Sequence, residues 1–232
     1  MNLSLNKITS GNSSFIVLFC FCITNIFLFT NCSTRDEPSE IVAEWPHAVT
    51  YEVFVRSFAD GSGDGIGDIP GLTSKLDYID ELGVQALWLM PIHPSQTYHK
   101  YNVIDYRDIH PDYGTLEDFE HFLKEAHSRD IRVVIDFVVN HTSSEHPWFL
   151  EAIEDPGGHF YDFYIWETED NINNRTVEYT GPNTNINRWR EAEGTEEYFY
   201  GHFSPYMPDL NFDNQAVRDS IYDIGRFWLE MG

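Results

Sequence analysis

The 232-residue chain carries 38 acidic side chains against 14 Lys and Arg, for a formal charge of −24, and 42% of its residues are apolar. Enough apolar side chains are present to bury a sizeable core, while the acidity makes nucleic acid and anionic membrane surfaces poor partners and favours neutral ligands or divalent cations. All three cysteines (Cys20, Cys22, Cys32) lie in the first 32 residues, so the remainder holds neither a disulfide nor a thiolate metal site.

Near the start, Lys7 precedes the apolar run FIVLFCFCITNIFLF at 15–29. The run is too short and too one-sidedly flanked for a membrane span, but it has the form of a secretory h-region. Thr30-Asn31-Cys32 and the polar STRDEPSE follow. This resembles a bacterial lipoprotein signal over 1–32. Cys32 is then the lipid-bearing first residue of an exported, membrane-anchored chain, periplasmic or at the cell surface. The box LFTNC lacks the small residue that usually precedes such a cysteine, so a plain signal peptide and an uncleaved anchor helix remain alternatives. Residues 33–47 read as a tether.

The first predicted strand is VTYEVFV, 49–55. It runs into DGSGDGIGD, where Asp60, Ser62, Asp64 and Asp68 alternate, the Ile66 carbonyl takes the seventh place and Gly65 the sixth. That is the oxygen-ligand spacing of a calcium loop, with Gly71 where an EF-hand has its bidentate Glu. The rival reading is an acidic glycine loop without an ion. Leu72, Leu76, Ile79 and Leu82 then form a helical stripe ending at Gly83, and VQALWLM at 84–90 reads as a buried strand stopped by Pro91. Thr115 and Asp118 have capping-box spacing ahead of a second stripe, Phe119, Phe122, Leu123 and Ala126.

The next strand, within IRVVIDFVVNH at 131–141, shows no polar alternation, which predicts a strand covered on both faces of a parallel sheet. Asp136 inside that run needs a cation or several donors, and Asn140-His141 mark its end. A structural Asp with a turn-forming Asn-His pair is the alternative to a functional cluster. The order strand, helix, strand, helix, strand implies an α/β fold with right-handed crossovers. After His141 the alternation stops for about 65 residues, too long for an ordinary connection, which predicts an inserted, aromatic, β-rich subdomain. Met207-Pro208-Asp209-Leu210-Asn211 returns the chain to the scaffold, and Asn214 caps a last helix with the stripe Val217, Ile221, Ile224, Trp228, running to Gly232.

Five stretches, YEVFVRSFADGSGDGIGDIPGL, GVQALWLMPIHPS, YNVIDYRDIHPDYGTLEDF, DFVVNH and MPDLN, together resemble the N-terminal part of the α-amylase family of glycoside hydrolases. The resemblance implies the first three strands of a (β/α)₈ barrel over 48–140, a B domain inserted after strand 3 over 141–206, and a return to the barrel over 207–232. It implies that Tyr101 stacks under the sugar beside the bond to be cut, that His141 hydrogen-bonds that sugar's hydroxymethyl group, and that Asp136 orders the site without reacting. It implies a structural Ca²⁺ held by Asp60, Ser62, Asp64, Ile66 and Asp68, and a second ion site involving Asn140 and Asp209.

The implied activity is retaining hydrolysis of α-1,4-linked glucan such as starch or maltooligosaccharide. MPDLN is similar to the neopullulanase form, and Tyr98 stands where exo-acting relatives carry an Asp that grips a chain end, which leans toward internal cleavage. The nucleophile and acid/base of this family belong to later strands and are expected beyond Gly232. The 232 residues are therefore expected to be part of a longer enzyme and inactive alone. Alternatives are an exo-acting α-glucosidase or oligo-1,6-glucosidase, and a glucan-binding surface lipoprotein without catalysis. A zinc-protease reading of HTSSEH at 141–146 fails on spacing, which has one residue too many for HxxEH.

Overall fold

The computed structural model describes residues 47–174 and 188–232; the leader, Cys32 and most of the tether lie outside them. Three strands, β1 (Thr50–Val53), β2 (Ala86–Leu89) and β3 (Arg132–Ile135), form a parallel sheet in that order. Val53, Leu89 and Ile135 are in register, so all three strands end at one level. Loops that follow these ends therefore share a rim, the place where side chains from distant sequence can meet.

The connections are helical for the reasons their sequences announce. Between β1 and β2 lie two short helices, α1 (Ile69–Thr73) and α2 (Leu76–Glu81). They replace the single stripe expected there: Leu72, Leu76 and Ile79 are buried, but Leu82 is 53% exposed. The break at Ser74-Lys75 turns the second helix, and Leu82 becomes its C-terminal cap, with the Gly83 N–H closing on the Asp80 carbonyl at 2.8 Å. Between β2 and β3, α3 (Leu116–His127) starts at a full capping box of Thr115 and Asp118 and buries Phe119, Phe122, Leu123 and Ala126 as predicted.

One sheet face, with Val53, Leu87 and Leu89, is buried with these helices in one core cluster. The opposite face presents Glu52, Trp88 and Val134, which are paired in register and exposed, Trp88 at 41%. The expectation that β3 is covered on both faces is thus corrected: Arg132 and Val134 face solvent among the described residues, because no described element covers that side. The first strand is also shorter than expected, since Val55 enters a 3₁₀ turn at Val55–Ser57.

Residues after His141 build a second, antiparallel sheet of β4 (Trp166–Thr168), β6 (Glu197–Tyr200) and β5 (Trp189–Glu191), with β6 central. It is not only β-rich: α4 (Pro147–Glu154) and α5 (Glu169–Asn174) belong to the same segment. Most of its aromatics are core. Trp166 stacks parallel on Tyr161 at 5.1 Å and on Phe149 at 5.9 Å. Isolated bridges then pair Asp209 with His141, just past β3, and Leu210 with Tyr164, inside the inserted segment. Asn214 caps the final helix, α6 (Gln215–Met231), whose Val217, Ile221, Ile224 and Trp228 are buried.

Candidate active-site rim

Side chains from two loops, 35 and more positions apart, meet at the C-terminal ends of the parallel strands. Tyr101, from the loop after β2, donates its phenol to Asp136 Oδ2 at 2.7 Å, and Asp136 directly follows β3. Burial first, and the Asp136 hydrogen bond second, push the Tyr101 phenol up to about 12, so it remains a donor at neutral pH. The residues alone required a cation or several donors around Asp136. The structure supplies one hydroxyl, which suffices because the carboxylate is only half-buried.

His141 Nε2 lies 3.1 Å from the Tyr101 carbonyl, which can only accept, so this nitrogen carries the proton. Nδ1 then accepts from Asn140 Nδ2 at 3.3 Å. Burial pulls the His141 imidazole down to about 4, so the ring is neutral at pH 7. Its backbone carbonyl accepts from the Tyr106 hydroxyl at 2.8 Å, and the Tyr106 carbonyl accepts from the Trp228 indole at 2.7 Å. The last helix thereby fixes the rim through a hydrogen-bonded relay of side chains and backbone.

Asn140 and Asp209 also meet, as expected. Asp209 is buried, accepts the His202 N–H at 3.0 Å and hydrogen-bonds the Asn140 side chain. Burial pushes its carboxyl up to about 6. Sequence reasoning missed Phe203, whose ring sits 5.3 Å from His141 and is 58% exposed, since nothing in its local pattern separates it from the core aromatics around it. Tyr98 is exposed, with the Arg56 guanidinium 5.5 Å over its ring, Phe54 at 5.2 Å, and Arg56 paired with Asp112 at 3.1 Å. The two histidines of HTSSEH part company: His146 caps α4 by accepting the Trp148 N–H.

The acidic loop is built differently. Asp68 caps α1, its two oxygens accepting the N–H groups of Gly61, Ser62 and Gly71 at 2.6–3.0 Å. Asp60 accepts from Gly63 and Gly65, which hold its carboxyl below the usual range, and Asp64 accepts from Ile66. A Cβ at Gly71 would lie 2.1 Å from the Ala59 carbonyl oxygen, so the twelfth place cannot carry the EF-hand glutamate. These side chains and the Ile66 carbonyl offer hard oxygen atoms, the donor type that Ca²⁺ takes. Among the described residues no group of three or more His, Cys, Asp or Glu side chains is gathered around one point.

The nucleophile and acid/base expected beyond Gly232 have no counterpart to place. The parallel sheet of the described residues has three strands, and Gly232 itself serves only as the C-cap of α6.

A phenol, a carboxylate and a neutral imidazole thus share one rim of a parallel α/β sheet. A model of the α-amylase catalytic domain matches residues 52–232, and the chain belongs to the α-amylase family. It is 49% identical over 189 residues to alpha-amylase 3 of Dictyoglomus thermophilum, covering 81% of this chain and 35% of the relative. It is 43% identical over 192 residues to an oligo-1,6-glucosidase of Parageobacillus thermoglucosidasius, covering 81% and 33%. Among solved structures, Eubacterium rectale Amy13B superposes with a TM-score of 0.70 at 43% identity, over 80% of this chain and 35% of that one. The chain therefore spans about a third of the length of the curated relatives it matches.

Proposed function

We propose that this chain supplies the sugar-binding rim of a retaining glycoside hydrolase acting on α-1,4-linked glucan, its three parallel strands being the first of a (β/α)₈ barrel and residues 141–206 the inserted B domain. The observation that carries the reading is the meeting of Tyr101, Asp136 and His141 at one level of the sheet. A phenol ring fixed through its hydroxyl is a rigid surface for a glucose ring. Asp136 positions it, and His141 reaches the sugar's hydroxymethyl oxygen by sharing the Nε2 proton now held against the Tyr101 carbonyl.

The retaining mechanism needs two carboxyl groups about 5–5.5 Å apart, one as nucleophile and one as acid/base. Asp136 is committed to Tyr101, so neither role is assigned to it, and both fall to the part of the relatives' length that these 232 residues do not span. The 232-residue chain then binds maltooligosaccharide without cleaving it. Titrating the purified chain with maltotriose, alongside Tyr101→Ala, tests this: binding lost in the variant is expected. Release of reducing sugar from amylose by the chain would refute the division of labour.

The oligo-1,6-glucosidase relative keeps exo-action as a second reading. Tyr98 in place of a chain-end carboxylate supports internal cleavage, and equal binding of maltotriose and its reduced or non-reducing-end-blocked forms is the expected result. A glucan-binding lipoprotein without any catalysis is the outcome if the complete protein binds starch and never turns it over.

We further propose that the 60–68 loop takes one Ca²⁺ through Asp60, Ser62, Asp64, the Ile66 carbonyl and Asp68, with Asn140 and Asp209 as the seed of a second site. Asp60 Oδ2, Asp64 Oδ1 and Asp68 Oδ2 each accept one N–H and keep a lone pair for an ion, whereas Asp68 Oδ1 accepts two. Chelation is expected to lower the melting temperature, and an unchanged melt with no bound metal by elemental analysis counts against it. Lipidation at Cys32, and with it export to the periplasm or surface, is tested by intact mass and by Cys32→Ala.

A further inference from the structure

Lys100 is the outlier next to the rim. It is 3% exposed, and its φ of +66° lies in the left-handed region that lysine rarely occupies and that glycine adopts freely. Its ammonium lies 5.7 Å from the centroid of the buried Tyr113 ring and 3.0 Å from His110 Nε2. His110 accepts the Asp112 N–H at Nδ1, so its Nε2 carries the proton and donates to the Ser95 carbonyl at 3.1 Å, which leaves the Lys100 ammonium no acceptor on that ring. Among the described residues no carboxylate forms an ion pair with Lys100. Burial lowers the pKa of both Lys100 and His110. A buried cation held mainly on an aromatic face, on a backbone glycine would adopt more easily, persists only when its side chain does something a glycine cannot.

What it does is legible in its neighbours. Residues 97–101 fold back on themselves: the Lys100 N–H bonds the Thr97 carbonyl at 3.3 Å, and the Tyr101 N–H bonds His99 Nδ1 at 3.1 Å. The Tyr101 carbonyl is the one His141 bonds, and the Tyr101 phenol is the one Asp136 accepts. Anchoring the Lys100 side chain on the far side of that turn fixes the peptide that carries Tyr101. We infer that Lys100 is a positioning residue, its buried ammonium held on the Tyr113 face so that Tyr101 keeps the orientation in which it meets Asp136 and presents its ring to a sugar. The sugar clause rests on the reading given under Proposed function; the clamp does not.

The test uses the full 232-residue chain with Lys100→Gly, Lys100→Met and Lys100→Arg. Glycine relieves the backbone, methionine keeps the stem without charge, and arginine keeps a cation for the Tyr113 ring. With ¹³Cζ-tyrosine labelling, the Tyr101 resonance, assigned by its loss in Tyr101→Phe, reports the phenol–carboxylate bond at neutral pH without any glucan. Expected are a shift toward free tyrosine in the glycine and methionine variants with near-UV dichroism intact, recovery toward wild type in the arginine variant, and maltotriose binding weakened about fivefold in the first two. An unmoved Tyr101 resonance in folded Lys100→Gly overturns the proposal, and so does loss of the near-UV signal in both uncharged variants, which would make the lysine a general folding residue. Should the resonance shift while wild type binds no maltotriose, the clamp stands and the glucan reading falls.

Discussion

The acidic loop and the strand-end rim both hold aspartates beside glycine or aromatic turns, yet they satisfy them in opposite ways. In the loop, Asp60, Asp64 and Asp68 turn onto backbone N–H groups no more than seven residues away. At the rim, Asp136 meets a phenol 35 residues distant, and Asp209 meets the Asn140 side chain. A local network is built by the chain's own turn geometry and stands alone. A long-range one exists only while the elements carrying its parts stay docked, and this difference sets what each should lose when perturbed.

The largest effect is expected from undocking the rim. Trp228→Ala removes a buried indole and its bond to the Tyr106 carbonyl and should cost about 3–5 kcal/mol, lowering Tm by on the order of 10 °C with the maltotriose response going first. Acidification acts on the same region. Burial holds His93, His141 and His146 down near about 4 in the folded state against 6.5 unfolded. Each folded pKa is depressed, so the unfolded chain binds more protons between those values, and stability present above pH 6.5 drains away as pH falls toward 4.

Asp209 works the other way: its carboxyl is raised to about 6 from 3.8, so the folded state gains protons on acidification in that window. Three imidazoles against one carboxyl leave a net loss of roughly 3 kcal/mol or more by pH 4.5. A thermal melt series from pH 7 to 4.5 reads it, and His93→Gln should flatten the slope.

Asp68→Ala attacks the loop at its most buried carboxylate. It orphans three N–H groups and should cost about 2 kcal/mol, visible in thermal melts, while leaving the Tyr101–Asp136 bond intact. Asp64→Ala is the smallest, within about 0.5 kcal/mol without calcium, because that side chain is exposed and serves one N–H. A loop substitution that displaced Tyr101 would erase the distinction between the two regions.

The same distinction governs what reading the residues in order could reveal. The stripes of Phe119–Ala126 and Val217–Trp228, the Thr115 capping box, the Asn214 cap and the order of the strands follow from spacing within one element, and they stand in the structure as expected. The breaks in expectation occur where a neighbour decides. The stripe from Leu72 to Leu82 is split by a turn, and Val134 lies on a face that no described element covers. Tyr101, Asp136 and His141 were legible as a set through family resemblance, but the bonds that join them were not. Phe203 beside His141 and Lys100 behind Tyr101 carried no local signal, their roles being set by what packs against them.

The sequence by itself determined the alternation of strand and helix and the caps, because each depends on hydrogen bonds and apolar periods within about ten residues. Only the tertiary structure decided that the three strands end level and that His141 carries its proton on Nε2. Those outcomes depend on which donors and acceptors are brought within about 3 Å of one another across more than thirty residues, and no local pattern encodes that distance.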